Sequence, residues 1–94
     1  MTSKQRAYLR GLTNKEDAVL QVGKNGTNEN LIKQVSDILE ARELIKISIL
    51  ETAPEEKKEV AETIANQTSS EIVQIIGNKI SLYRKSKKPK IILP

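Results

Sequence analysis

An apolar run, a one-sided helical stripe and an alternating apolar segment follow one another between Ala18 and Leu50. That order leaves few folds open. Ala18-Val19-Leu20-Gln21-Val22 is short and nearly all apolar, as in a strand covered on both faces. Asn28 is a good N-cap, and behind it Leu31, Ile32, Val35, Ile38 and Leu39 fall on a single helical stripe. In Leu44–Leu50, Ile45, Ile47 and Ile49 alternate with Lys46 and Ser48, so one face is expected to be buried more than the other. A strand–helix–strand unit of this length implies a parallel pair joined by a right-handed crossover.

The flanking segments complete the order. Ser3 is suited to cap a first helix from Lys4 to about Leu12, with Tyr8, Leu9 and Leu12 on one side. Gly11 and Asn14 favour its exit, and Thr13 to Asp17 reads as a polar link. Thr52 and Glu55 are spaced as a capping box for a third helix running to about Asn66, with Pro54 in the first turn. Its apolar side is thin, Val60, Ala61, Ile64 and Ala65, and Glu55, Glu56, Glu59 and Glu62 read as a solvated acidic face. Glu71–Ile76 and Lys79–Arg84 alternate as two further strands around Gly77-Asn78, a two-residue hairpin loop whose residues both tolerate positive φ. The basic tail 85–94 follows, and Ile91-Ile92-Leu93 fits either a short edge strand or simple docking. The expected fold is a two-layer α/β sandwich, α-β-α-β-α-β-β. Its four-stranded mixed sheet is mostly parallel, with an antiparallel hairpin at the end.

Composition narrows the chemistry. Ninety-four residues suit one domain, 1–94. Phe and Trp are absent and only Tyr8 and Tyr83 are aromatic, so the core must be aliphatic. Without Cys or His there is no disulfide, no thiolate or imidazole metal site and no His-based triad, so no metal, no cofactor, no small-molecule substrate and no enzyme is expected. The start shows no signal peptide and no segment approaches a membrane span, so a cytoplasmic protein is the expectation. The net charge is +4, unevenly spread: residues 1–26 carry +3 and residues 71–94 carry +5, while both middle segments, 27–53 and 54–70, carry −2. If the two basic ends meet on one face, they would orient the molecule toward a polyanion.

Gly23-Lys24-Asn25-Gly26 sits at the junction of the first strand and the second helix. Glycines let the backbone turn sharply and approach a ligand closely, and a helix start behind them offers unpaired N–H groups and partial positive charge. Lys24 adds a full charge at the tip. Such a loop suits a phosphate oxygen, here of an RNA backbone. No Gly-Lys-Ser/Thr follows at P-loop spacing, which excludes a nucleotide loop of that type.

Four stretches in order carry a family resemblance. They are Lys4-Gln5-Arg6-Ala7-Tyr8-Leu9-Arg10, Gln21-Val22-Gly23-Lys24-Asn25-Gly26, Ala41-Arg42-Glu43-Leu44-Ile45-Lys46-Ile47, and Val73-Gln74-Ile75-Ile76-Gly77-Asn78 followed by Leu82-Tyr83-Arg84. Over about Thr2 to Tyr83 the chain resembles the stand-alone bacterial YhbY-like CRM-domain proteins, which bind RNA and associate with the ribosome. The resemblance implies a fold like the C-terminal domain of translation initiation factor three. It also implies RNA binding through the Gly-x-x-Gly loop, Gly23, Lys24, Asn25 and Gly26, and a role in large ribosomal subunit assembly. Two departures stand out: Ala18 where family members often have Pro before the first strand, and Thr27 where an apolar residue often follows the loop. The loop logic is shared with KH domains, but the preceding strand is not.

The functional expectation is therefore a monomeric RNA-binding accessory protein acting on ribosomal RNA in pre-large-subunit particles. Lys24 would contact phosphate, with Lys4, Arg6, Arg10, Arg84 and Lys85 extending a basic face and Tyr83 as the one aromatic placed for stacking. The alternative is a protein-interaction module that docks a ribosomal or assembly protein through the acidic third helix.

Overall fold

The computed structural model describes all 94 residues. Seven elements occur in the expected order: α1 Ser3–Thr13, β1 Ala18–Val22, α2 Glu29–Arg42, β2 Leu44–Ile49, α3 Lys57–Thr68, β3 Glu71–Ile76 and β4 Lys79–Tyr83. Asn28 caps α2 as its sequence requires, its side chain accepting the Leu31 N–H at 2.8 Å. The cap of α1 is Thr2 rather than Ser3. Thr2 and Gln5 form a reciprocal capping box, which draws Ser3 into the first turn.

The sheet order is β1-β2-β4-β3, with β1–β2 parallel and both pairs made by β4 antiparallel. Three strands run one way, but β4 lies between β2 and β3, so only one pair is parallel. β1 pairs only with β2 and so lies at an edge. Its residues are half-buried or exposed apart from Val22, against the expectation of a strand covered on both faces. An apolar run reports that a strand meets a core, not on how many sides. The hairpin turn forms at Gly77-Asn78, but only Gly77 takes a positive φ, +58°.

Two cores flank the sheet. The larger gathers Val22, Ile45, Ile47, Ile80 and Leu82 with the apolar faces of α2 and α3. The smaller gathers Leu9 of α1 with Leu44, Val73 and Tyr83, flanked by Leu12, Ile91 and Leu93. Because successive strand residues point to opposite faces, Leu44 and Ile45 feed different cores. β2 therefore meets a core on each face, Ser48 included, and the isoleucine face is the more buried, since Lys46 opposite it is only half-buried. Thr13 belongs to α1 and is fully buried, its hydroxyl 2.8 Å from that of Ser81, so it is not part of a polar link.

Candidate functional site

The Gly23–Gly26 loop closes as a tight turn, the Gly26 N–H donating to the Gly23 carbonyl at 2.9 Å. Gly26 is buried with φ +61°, while Lys24 and Asn25 are exposed at the tip. Neither Lys24 nor Asn25 donates its backbone N–H to a backbone carbonyl. The loop is held from below by the segment joining β2 to α3. Glu55 Oε2 accepts from the Thr27 hydroxyl at 2.7 Å and more loosely from the Thr27 N–H at 3.4 Å. Glu55 Oε1 is buried without a hydrogen-bond partner and lies where a Cβ on Gly26 would fall. Leu50 ties the same segment to the end of β1 through its N–H and the Val22 carbonyl, 2.9 Å.

This use of Glu55 corrects two expectations. Glu55 makes no capping box with Thr52, because α3 begins only at Lys57, with Glu56 at its N-cap and no side-chain cap bond. Nor does Glu55 belong to a solvated face. The Thr-x-x-Glu spacing was locally satisfied, but the carboxylate finds a better partner across the fold in Thr27. Thr27, the position that departs from the usual apolar residue, is thereby the anchor of the loop.

The cationic residues fall into two groups. Lys24 stands beyond the C-terminal end of β1. β1 runs parallel to β2, and β2 antiparallel to β4, so everything after Tyr83 emerges at the other end of the sheet. Lys85 is exposed there, and Gln5 lines the same crevice. The chain termini do meet, with Gln5 Nε2 donating to the Pro94 carbonyl at 3.2 Å, but they meet away from the loop. Lys4 and Arg10 are exposed on α1. Arg6 is partly engaged: it pairs with Glu71 at 3.9 Å and donates to the Ile72 carbonyl. Arg84 is committed to the fold. Its guanidinium donates to the Ser36 carbonyl at 2.7 Å, the Thr68 carbonyl at 2.9 Å and the Ser36 hydroxyl at 3.0 Å, with Glu40 3.7 Å away. It staples α2 to the end of α3, and it offers little to a ligand.

Tyr83 is buried in the smaller core, so it is not placed for base stacking; Tyr8 is the exposed aromatic. Burial pushes the Tyr83 hydroxyl pKa up, and the nearby Glu43 charge pushes it further. The apolar side of α3, Val60, Ala61, Ile64 and Ala65, is wholly buried, which leaves no apolar stripe there for a protein partner.

Glu43 was not singled out by sequence reasoning. It ends α2 with φ +69° and is fully buried. Its carboxylate accepts the N–H groups of Lys90 (2.7 Å), Ser86 (2.8 Å) and Ile91 (2.8 Å). The Ser86 hydroxyl lies 3.1 Å from it and 2.9 Å from the Lys88 carbonyl, with one proton to share. Burial raises the Glu43 pKa, but these donors outweigh it and hold the carboxyl below its ordinary value. Ile91 and Leu93 dock against the smaller core without forming a strand. The signal was present: a helix end where Gly or Asn is usual carries a Glu instead.

With this geometry in place, known proteins provide context. The profile of the CRS1 / YhbY (CRM) domain matches residues 1–84. The "Probable RNA-binding protein YqeI" of Bacillus subtilis (strain 168) is 47% identical over 92 residues, covering 98% of this chain and 96% of that protein. An "RNA-binding protein" of Haemophilus influenzae is 33% identical over 94 residues, covering 100% and 95%. The solution structure of the hypothetical protein SAV1595 from Staphylococcus aureus superposes with a TM-score of 0.85 at 52% identity, covering 100% of this chain and 99% of that one.

Proposed function

The chain belongs to the CRS1 / YhbY (CRM) domain family, and from that premise we propose that it is an RNA-binding protein. Residues 1–94 act as one CRM-type domain, monomeric and cytoplasmic, with 85–94 as its docked tail. The observation that carries the reading is the tip of the Gly23–Gly26 turn. Two backbone N–H groups, of Lys24 and Asn25, stand without backbone partners beside an exposed ammonium. A phosphate oxygen satisfies both kinds of donor at once. The Glu55–Thr27 bond below holds the turn in shape, which lowers the ordering cost of binding.

The two relatives are named as RNA-binding proteins, which supports the class of ligand. The finer proposal is that the RNA is ribosomal and that the protein serves large-subunit assembly, as its sequence resemblance implies. With Tyr83 buried, Tyr8 is the one aromatic left exposed, so recognition rests mainly on shape and phosphate contacts.

Lys24→Ala is the test, assayed on structured ribosomal RNA fragments over a salt series. Loss of one phosphate contact should flatten the slope of log K against log salt by about 0.7–0.9 and weaken binding. Unchanged affinity and slope would remove the loop from the site. Crosslinking in cells, followed by mapping of the bound RNA, tests the ribosomal assignment. Crosslinks absent from ribosomal RNA would sink it.

A further inference from the structure

We infer that the lysine-bearing tail is a second phosphate-binding surface, held in shape by Glu43 at the opposite end of the sheet from Lys24, so that the protein grips a folded RNA at two separated points. This rests on the RNA-binding reading and goes beyond it in naming the second surface, its positioning residue and the shape of RNA required.

Three observations converge. The first is the latch. A buried carboxylate is costly unless it is hydrogen-bonded, and Glu43 sits in a backbone conformation that glycine adopts more cheaply. Ending a helix needs none of this. What Glu43 gains is the path of Ser86 to Ile91, because it collects three N–H groups from that segment. The carbonyl of Glu43 adds a fourth tie, accepting the Arg84 N–H at 2.9 Å.

The second is what the path carries. Lys85, Lys87 and Lys88 are exposed and make no ion pair; the two ion pairs of the molecule are Arg6–Glu71 and Arg84–Glu40. Two carboxylates face the tail: Glu43, buried beneath it and occupied by its three N–H groups, and Glu40, which accepts the Lys87 N–H at 2.9 Å and already faces Arg84. Gln5, beside the exposed Lys4, shares a crevice with Lys85, so the start of α1 extends the same surface. A tail that wandered in solvent would lose much of its affinity to ordering. A docked one presents its charges already placed.

The third is separation. β4 alone spans about 17 Å at roughly 3.4 Å per residue, or about five steps of a stacked nucleic-acid strand. The long axis of the molecule is 37 Å. A folded RNA that presents phosphates over that span engages both ends, and the second contact then forms at high effective concentration. A very short oligonucleotide reaches one end only.

The experiment compares the wild type, Glu43→Gln, the triple variant K85Q/K87Q/K88Q and Lys24→Ala. Each is titrated over a salt series with a hairpin of about ten base pairs and with a tetranucleotide, a range of lengths set by the strand spacing above. On the hairpin, the triple variant should flatten the salt slope by about two to three units. Glu43→Gln retains every lysine, yet it should flatten the slope in the same direction, with tail amides exchanging faster by NMR. Neither change should alter tetranucleotide binding at the loop, which Lys24→Ala should weaken. A triple variant with wild-type slope and affinity on the hairpin overturns the second surface. Glu43→Gln with a mobile tail and wild-type hairpin binding overturns its positioning role. Should Glu43→Gln fail to fold, the triple variant, confined to exposed side chains, decides alone. If the wild type binds and only Lys24→Ala weakens it, this inference falls and the RNA reading stands. If the wild type binds neither RNA, the RNA reading itself falls.

Discussion

Gly26 and Gly77 share a left-handed backbone, with φ of +61° and +58°, but their surroundings differ. A Cβ on Gly77 would meet open space, whereas one on Gly26 would run into Glu55 and Pro54. Gly77→Ala should therefore cost only the conformational term, about 1–2 kcal/mol. Gly26→Ala adds crowding and should cost about 1–3 kcal/mol more. Gly23 is the contrast within the loop: its φ is ordinary, and an added Cβ would sit 3.7 Å from Leu50 Cδ1 and Thr52 Oγ1, normal contact. Gly23→Ala should fold with near wild-type stability, so any loss of RNA affinity in it reports on ligand approach. Denaturant unfolding of the three variants checks the ranking. A Gly26→Ala as mild as Gly77→Ala would mean that Glu55 swings away freely. The sequence displayed both loop glycines as equals; that only one is demanded by the fold depends on a carboxylate 29 positions further on.

Among the elements, α2 was the most legible, because its cap, stripe and length are all local properties. The bounds of β1 and β3 were equally readable, but their edge positions were not. Strand order is decided by where the hairpin inserts, and no residue of β1 records that β4 will pair with β2. The end of α2 was harder still, since Glu43 acts on partners more than 40 residues away. Its chemistry gives a pH prediction. The Glu43 carboxyl titrates below its ordinary, unfolded value, so its bonds contribute stability at neutral pH that is lost as pH falls through the folded value. Urea unfolding should thus show stability falling on the acid side of the ordinary carboxylate range. Glu43→Gln should be less stable at neutral pH and flatter across that window. Parallel profiles for both proteins would assign the acid loss to other carboxylates.

For the molecule as a whole, the unequal cores matter most. The larger one binds the sheet to α2 and α3, and the smaller one, centred on the fully buried Leu9, gathers both ends of the chain. Leu9→Ala should cost about 2–5 kcal/mol by cavity formation. Amide exchange in that variant should rise first in α1 and the tail, with β2 protected. Uniform loss of protection would mean that the two cores unfold together. The basic ends were visible in the charge distribution, and so was the loop, but their separation along the strands was not. The guanidinium of Arg6, resting on the Ile72 carbonyl along the open flank of β3, has a consequence for biochemistry at the bench. A charge parked on a sheet border discourages a neighbouring molecule from adding its own strand there, and Ile76, at the other end of the same edge strand, is well exposed. Variants at Arg6 will then be prone to stick to one another, and their oligomeric state has to be measured before a weakened RNA affinity is put down to a missing cation.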